Sequence, residues 1–168
     1  TNRADKAYEL ADMNVLLENA QQDLAELITE ENAIITAQKL PSIKIIPFQI
    51  QQLFSNLINN SIKYKAKNRI PEIHITYSKI KASDEPTLVN AKRSFYHKIS
   101  IIDNGIGFDN AYAENIFILF NRLHNKDEYS GTGIGLSICK KIVENHQGFI
   151  FASGVPNQGA TFTIYLPL

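Results

Sequence analysis

The chain has 168 residues, 44% hydrophobic and 20% charged, enough to enclose one domain with its own core. Its 17 lysines and arginines balance 17 aspartates and glutamates, which lends no support to a nucleic-acid-binding or membrane-surface protein. The single Cys139 rules out an internal disulfide and suits a reducing compartment, no apolar run nears the roughly 20 residues of a membrane span, and no signal peptide is visible, so a cytoplasmic location is expected.

Residues 1–11 are polar and alanine-rich. With a start at Thr1 rather than Met, they read as a linker or the tail of an upstream helix, and the folded domain is expected over residues 12–168. Asp12-Met13-Asn14 opens a short strand or caps the next element. Apolar residues at helical spacing (Leu16, Leu17, Ala20, Leu24, Leu27, Ile28) predict a helix over 15–28. Ala33 to Leu40 reads as a strand ended by Pro41. Pro47 precedes a second helix, Phe48 to Tyr64, whose Ile50, Leu53, Phe54, Leu57, Ser61 and Tyr64 form one stripe. Asn56, Asn60 and Lys63 fall at i, i+4 and i+7 beside it, three polar groups in one row at the edge of a buried face. Two strands come next, 71–80 and 95–103, joined by a polar stretch over 81–94 that reads as a long exposed hairpin loop. Residues 108–130 are irregular apart from an apolar knot at 116–120. A third helix spans 134–146 with Gly148 as its C-cap, and strands at 149–153 and 161–166 flank a turn over 154–159.

Two glycine clusters carry the chemistry. In Asp103-Asn104-Gly105-Ile106-Gly107 a carboxylate ends an apolar strand just before a sharp turn. Being an acceptor only, it can receive the exocyclic amine of adenine, which guanine lacks at that position. Taken alone, the segment is better read as an ordinary strand-end turn, of which Asp-Asn-Gly is a common kind. In Gly131-Thr132-Gly133-Ile134-Gly135-Leu136, alternate glycines open a helix whose bare N–H groups can bind phosphate. The spacing is neither a Walker loop nor a dinucleotide fingerprint. An asparagine oxygen suits magnesium, which takes few protein ligands beside phosphate, and Lys63 offers a point charge.

In this order the segments resemble the ATP-binding domain of sensor histidine kinases, a family shared with gyrase, mismatch-repair and heat-shock-chaperone ATPases. The N box is residues 56–64, the first glycine box 103–107, the F box 117–120, the second glycine box 131–135 and the last small box Gly159-Ala160-Thr161. Ser61 departs from the alanine frequent there. Residues 120–131 look most like kinases coupled to phytochrome-type or similar sensory modules. The resemblance implies a Bergerat-type α/β two-layer sandwich: a mixed sheet with three helices on one face and a mobile lid over 108–132. It implies ATP and Mg2+ as cofactors, with Asn60 as metal ligand and Asn56 beside the metal or phosphates. Lys63 would contact a phosphate, and Tyr64 would line the pocket. Asp103 would read adenine with a bridging water and Thr161, and Gly105 and Gly107 would shape the adenine side. Gly131, Thr132, Gly133, Gly135 and Leu136 would cover the phosphates, and Arg122 would reach the terminal phosphate or an interdomain surface.

Where the ATPases of this family carry a glutamate to activate water, this chain has Asn56, so a kinase rather than a fast hydrolase is expected. The implied reaction is γ-phosphoryl transfer to a histidine on a separate dimerisation domain of the same protein, with a response regulator downstream and no direct membrane contact. None of the four histidines stands in the helical His-Glu/Asp context of the family's acceptor. A non-catalytic nucleotide-binding module and an anti-sigma-type serine kinase are the competing readings.

Overall fold

The elements in chain order are β1 (Glu9–Asp12), α1 (Met13–Asp23), α2 (Ala25–Glu31), β2 (Ile34–Ala37), β3 (Ser42–Ile45), α3 (Pro47–Lys63), β4 (Glu72–Lys81), β5 (Phe95–Asp103), α4 (Ile134–Asn145), β6 (Phe149–Val155) and β7 (Gly159–Pro167). The computed structural model describes residues 7–117 and 134–168, the side chain of Ile134 excepted. Five strands form a mixed sheet in the order β2-β4-β5-β7-β6, in which β2 runs parallel to β4 and every other pair is antiparallel. A separate two-stranded sheet pairs β1 with β3, so chain pairing begins at Glu9, three residues before the domain start expected at residue 12.

Strand alternation decides which side of the large sheet the helices cover. Ile73 and Ile75 of β4, Ile99 and Ile101 of β5, and Phe162 and Ile164 of β7 point to one face and are buried there. Against them, α1 buries Met13, Leu16, Leu17 and Ala20, and α3 buries Ile50, Leu53, Phe54, Leu57, Ile58, Ser61 and Ile62. Leu136, Cys139, Ile142 and Val143 of α4 join the same core. Burial of Cys139 pushes its thiol up to about 12, as expected of a core residue. On the far face, Leu88 from the loop after β4 settles against Tyr96 and Tyr165, so that loop is anchored rather than wholly exposed. Glu85 fixes it further, accepting from Tyr165 Oη at 2.6 Å and lying 2.8 Å from Lys98 Nζ.

The described residues hold four α-helices where three were expected. The predicted helix over 15–28 breaks at Leu24 (φ −107°, ψ 15°) into α1 and α2. The physical reason is packing: α2 reaches the core only through the partly buried Leu27 and Ile28, so its direction follows those contacts rather than the axis of α1. The helical layer of the sandwich is still three deep in core contributions, from α1, α3 and α4. Strand β3 went unread between Pro41 and Pro47. Asn14 fixes that stretch by accepting from Leu40 N (2.8 Å) and donating to Leu40 O (2.7 Å). Pro47 is the first residue of α3, where its missing N–H costs nothing. The left-handed residue ending α4 is Gln147 (φ 56°), one position before Gly148. The last two strands run longer than expected and leave only residues 156–158 as a turn.

His146 ties the start of α3 to the end of α4. Its Nε2 accepts from Ile46 N at 3.1 Å, and its Nδ1 donates to Ile142 O at 2.8 Å, an arrangement only the neutral ring can make. Burial holds its pKa below the ordinary histidine value, and burial followed by Lys79 does the same for His97. The unfolded chain therefore takes up these protons first, and stability falls as pH drops through about 6.5. Unfolding midpoints measured from about pH 7.5 to about pH 5.5 should decline. His146→Gln, which keeps an acceptor for Ile46, should flatten part of that decline. An equally steep fall in the variant would clear His146.

Candidate functional site

Three elements converge at one end of the sheet: the last turns of α3, the end of β5 and the start of β7. They line a narrow cleft with Asn60, Tyr64, Asp103, Ile106, Gly107, Phe108, Ala160 and Phe162. Asn60 of the helix and Asp103 of the first glycine cluster, more than 40 residues apart in sequence, thus line one cleft.

Asp103 is held by three donors. Its Oδ1 accepts from Gly105 N (2.9 Å) and Ala160 N (3.1 Å), and its Oδ2 accepts from Ser61 Oγ (2.9 Å). A carboxylate has about four acceptor sites, so one position on Oδ2 stays open among the described residues. Burial raises the Asp103 pKa, opposed by the hydrogen bonds from Gly105, Ser61 and Ala160 and by the Arg69 guanidinium. The result is a half-buried, firmly oriented acceptor. Gly105 permits the first of these bonds, since a Cβ there would lie 2.5 Å from Tyr64 O. The Tyr64 carbonyl also accepts from Ile106 N at 2.9 Å, so the helix end and the glycine turn are joined directly.

Asn56 stands one helical turn before Asn60, against the start of α4. A Cβ on Gly135 would lie 3.9 Å from Asn56 Cγ, which places the end of the second glycine cluster beside the N box. The Asn56 Nδ2 is buried without a hydrogen-bond partner among the described residues, although the amide lies near the Cys139 thiol. Lys63 is half-buried in the last turn of α3, where the helix dipole also favours a cation. Leu136 is buried in the first turn of α4. Phe117 packs edge-on to Phe162 at 6.1 Å between ring centroids. Arg122, Gly131, Thr132 and Gly133, with Phe120 and His124, lie outside the described residues.

Register places Thr161 differently from expectation. It pairs with Ile102, whereas Asp103 pairs with Ala160. Paired residues share a face and neighbours alternate, so the Thr161 side chain leaves the sheet on the side opposite Asp103. Ala160 is the residue of that box that reaches Asp103, and it does so through its backbone. Arg69 was not among the expected site residues, yet its guanidinium donates to Asn104 O (2.6 Å), Gly105 O (2.9 Å) and Asn157 O (2.7 Å). An isolated arginine in a polar linker carries no motif that would have flagged it.

Helices on one face of a mixed sheet, with an oriented carboxylate at a strand end opposite an asparagine-bearing helix, define a GHKL-type α/β sandwich. Residues 46–168 match the family described as histidine kinase-, DNA gyrase B-, and HSP90-like ATPase, and the chain belongs to that family. It is 39% identical over 162 residues to cyanobacterial phytochrome A of Nostoc sp. (strain PCC 7120 / SAG 25.82 / UTEX 2576), covering 96% of this chain and 19% of that protein. The chain therefore spans about a fifth of the length of this relative. Among solved structures, the catalytic domain of histidine kinase ThkA shares the fold with a TM-score of 0.71 at 23% identity, covering 95% of each chain. Full-length ShkA in complex with AMPPNP shares it with a TM-score of 0.73 at 20% identity, over 96% of this chain and 31% of that one. No helix among the described residues is long and apolar enough to cross a membrane.

Proposed function

We propose that this chain binds Mg-ATP and donates the γ-phosphoryl group to a histidine on a separate dimerisation domain, as the catalytic domain of a two-component sensor kinase. The observation that carries the reading is the remaining acceptor position on Asp103, fixed by three donors at the mouth of a cleft that also contains Asn60. The open acceptor suits the adenine amine. Asn56 stands one turn from Asn60 in the same row, toward the phosphate side, and Lys63 adds a positive charge in the last turn of that helix.

The donor set also fits magnesium. Among the described residues there is no group of three or more His, Cys, Asp or Glu, so the ion would rest on the neutral oxygen of Asn60 and on phosphate oxygens. Bound there, magnesium would neutralise phosphate charge. The chain's own residues would orient the nucleotide, which is most of what phosphoryl transfer asks of a protein. Residue 56 offers an amide rather than a carboxylate, and an amide cannot take a proton from water, so transfer is favoured over hydrolysis. His74 and His97 lie in strands, and both ring nitrogens of His146 are engaged, which supports an acceptor elsewhere. The dimerisation domain and a response regulator are the proposed partners, and the proposed location is cytoplasmic. Arg122, Gly131, Thr132, Gly133, Gly135 and Leu136 would complete the phosphate side.

Calorimetric titration with ATP and GTP, each with and without magnesium, tests the reading. ATP-selective binding strengthened by magnesium is expected, and Asn60→Ala should remove the magnesium increment while sparing binding without the metal. Equal loss under both conditions would contradict a ligand role for Asn60. Labelled phosphate from ATP should then pass to an added dimerisation domain bearing the acceptor histidine and not accumulate on this chain.

A further inference from the structure

Gly105 is pinned on both sides of its residue. Its N–H donates to Asp103 Oδ1, and its carbonyl accepts from Arg69 Nη2 at 2.9 Å. The same guanidinium donates from Nε to Asn104 O at 2.6 Å and from Nη2 to Asn157 O at 2.7 Å. Asn157 is the left-handed residue of the turn between β6 and β7 (φ 63°), and its N–H donates to Ile106 O at 2.6 Å. Asn104 completes the frame from the other side, accepting from Glu72 N at 2.9 Å and donating to Ile70 O at 3.0 Å. One half-buried guanidinium thus gathers three backbone carbonyls from two turns, which the bond from Asn157 N to Ile106 O also joins. Its planar fork can serve several acceptors at once, which a lysine ammonium on a flexible stem does less well.

We infer that Arg69 is a positioning residue for base recognition: by clamping Asn104, Gly105 and Asn157 it fixes the peptide that orients the Asp103 carboxylate. The inference rests on the proposed nucleotide reading for its effect on binding, but the clamp itself is testable without nucleotide. The carbonyls that Arg69 holds belong to the turn after Asp103 and to the turn bonded to it, so its loss should act on the base and not on the triphosphate.

The experiment compares Arg69→Gln and Arg69→Lys with the unaltered chain, after circular dichroism has shown that each is folded. Binding of ATP and of inosine triphosphate, which carries a carbonyl in place of the amine, is titrated for all three. In Arg69→Gln the preference for ATP should fall about tenfold, the equivalent of one charge-assisted hydrogen bond, with inosine triphosphate affinity unchanged. Arg69→Lys should fail to restore the preference. Full restoration by lysine, or equal weakening of both nucleotides, would overturn the positioning role. Amide hydrogen exchange without nucleotide gives the independent arm: the N–H groups of Gly105, Ile106 and Asn157 should exchange faster in Arg69→Gln while those at the centre of β5 do not change. Unchanged exchange at those three amides would overturn the clamp. If exchange accelerates but the unaltered chain shows no preference for ATP over inosine triphosphate, the clamp stands, the base-recognition inference is overturned, and the nucleotide reading has failed for a separate reason.

Discussion

Asp103→Asn should abolish most of the affinity for ATP while leaving the fold intact. The amide oxygen can keep the bonds from Gly105 N and Ala160 N, and the Ser61 hydroxyl can turn to accept from the new amide nitrogen. What the variant cannot keep is the open acceptor, because the second amide hydrogen now meets the donor amine of adenine. The cost is about 1–3 kcal/mol, or roughly 5- to 150-fold in the dissociation constant. Stability should move the other way or not at all. Burial raises the Asp103 pKa, so the ionised carboxylate is disfavoured by the fold at neutral pH, and that contribution is relieved below the raised value. A neutral amide removes the cost at every pH. Calorimetry with thermal unfolding reads both quantities. An ATP affinity equal to that of the unaltered chain would remove Asp103 from the site.

Gly107→Ala should damage fold and site together. Gly107 has φ +66°, a conformation costly for any residue with a side chain. An added Cβ would fall far inside contact distance of Val155 O and 2.7 Å from Gly159 O. Both obstacles are backbone atoms, at the end of β6 and the start of β7, so neither can rotate aside. Strain and overpacking together cost roughly 2–4 kcal/mol. For a domain of this length that is a fall of roughly 5–15 °C in the unfolding midpoint. Nucleotide binding should weaken beyond what the unfolded fraction explains, since relief of the clash must move the glycine turn against which Asp103 is set. An alanine variant with an unchanged midpoint would show that the turn and the β6–β7 ends are not in the contact described.

The two variants separate features that the sequence displays from features it hides. The row of Asn56, Asn60 and Lys63 was legible because helical periodicity fixes which residues share a face, and α3 runs from Pro47 to Lys63 with the predicted stripe buried. Asp103 stood out only through its place in the order of the boxes, because Asp-Asn-Gly at a strand end reads by itself as a common turn. Thr161 was misplaced because a one-residue change of register exchanges the faces of a strand, and register is set by the pairing of β5 with β7 rather than by anything local. Ser61 looked like a tolerated departure, yet its hydroxyl holds one oxygen of Asp103 across 42 positions of sequence.

Sequence alone determined the order of the boxes, the amphipathic faces of α1, α3 and α4, and the presence of a carboxylate and an amide row suited to a nucleotide, because these depend on residue type and short-range spacing. Tertiary structure decided the break at Leu24, the pairing of β1 with β3, the side of the sheet on which Thr161 lies and the partners of Asp103 and Arg69. Each of these depends on which backbone groups two distant segments leave for one another. A buried carboxylate or guanidinium takes the nearest donors or acceptors that the packed chain supplies, wherever in the sequence they originate.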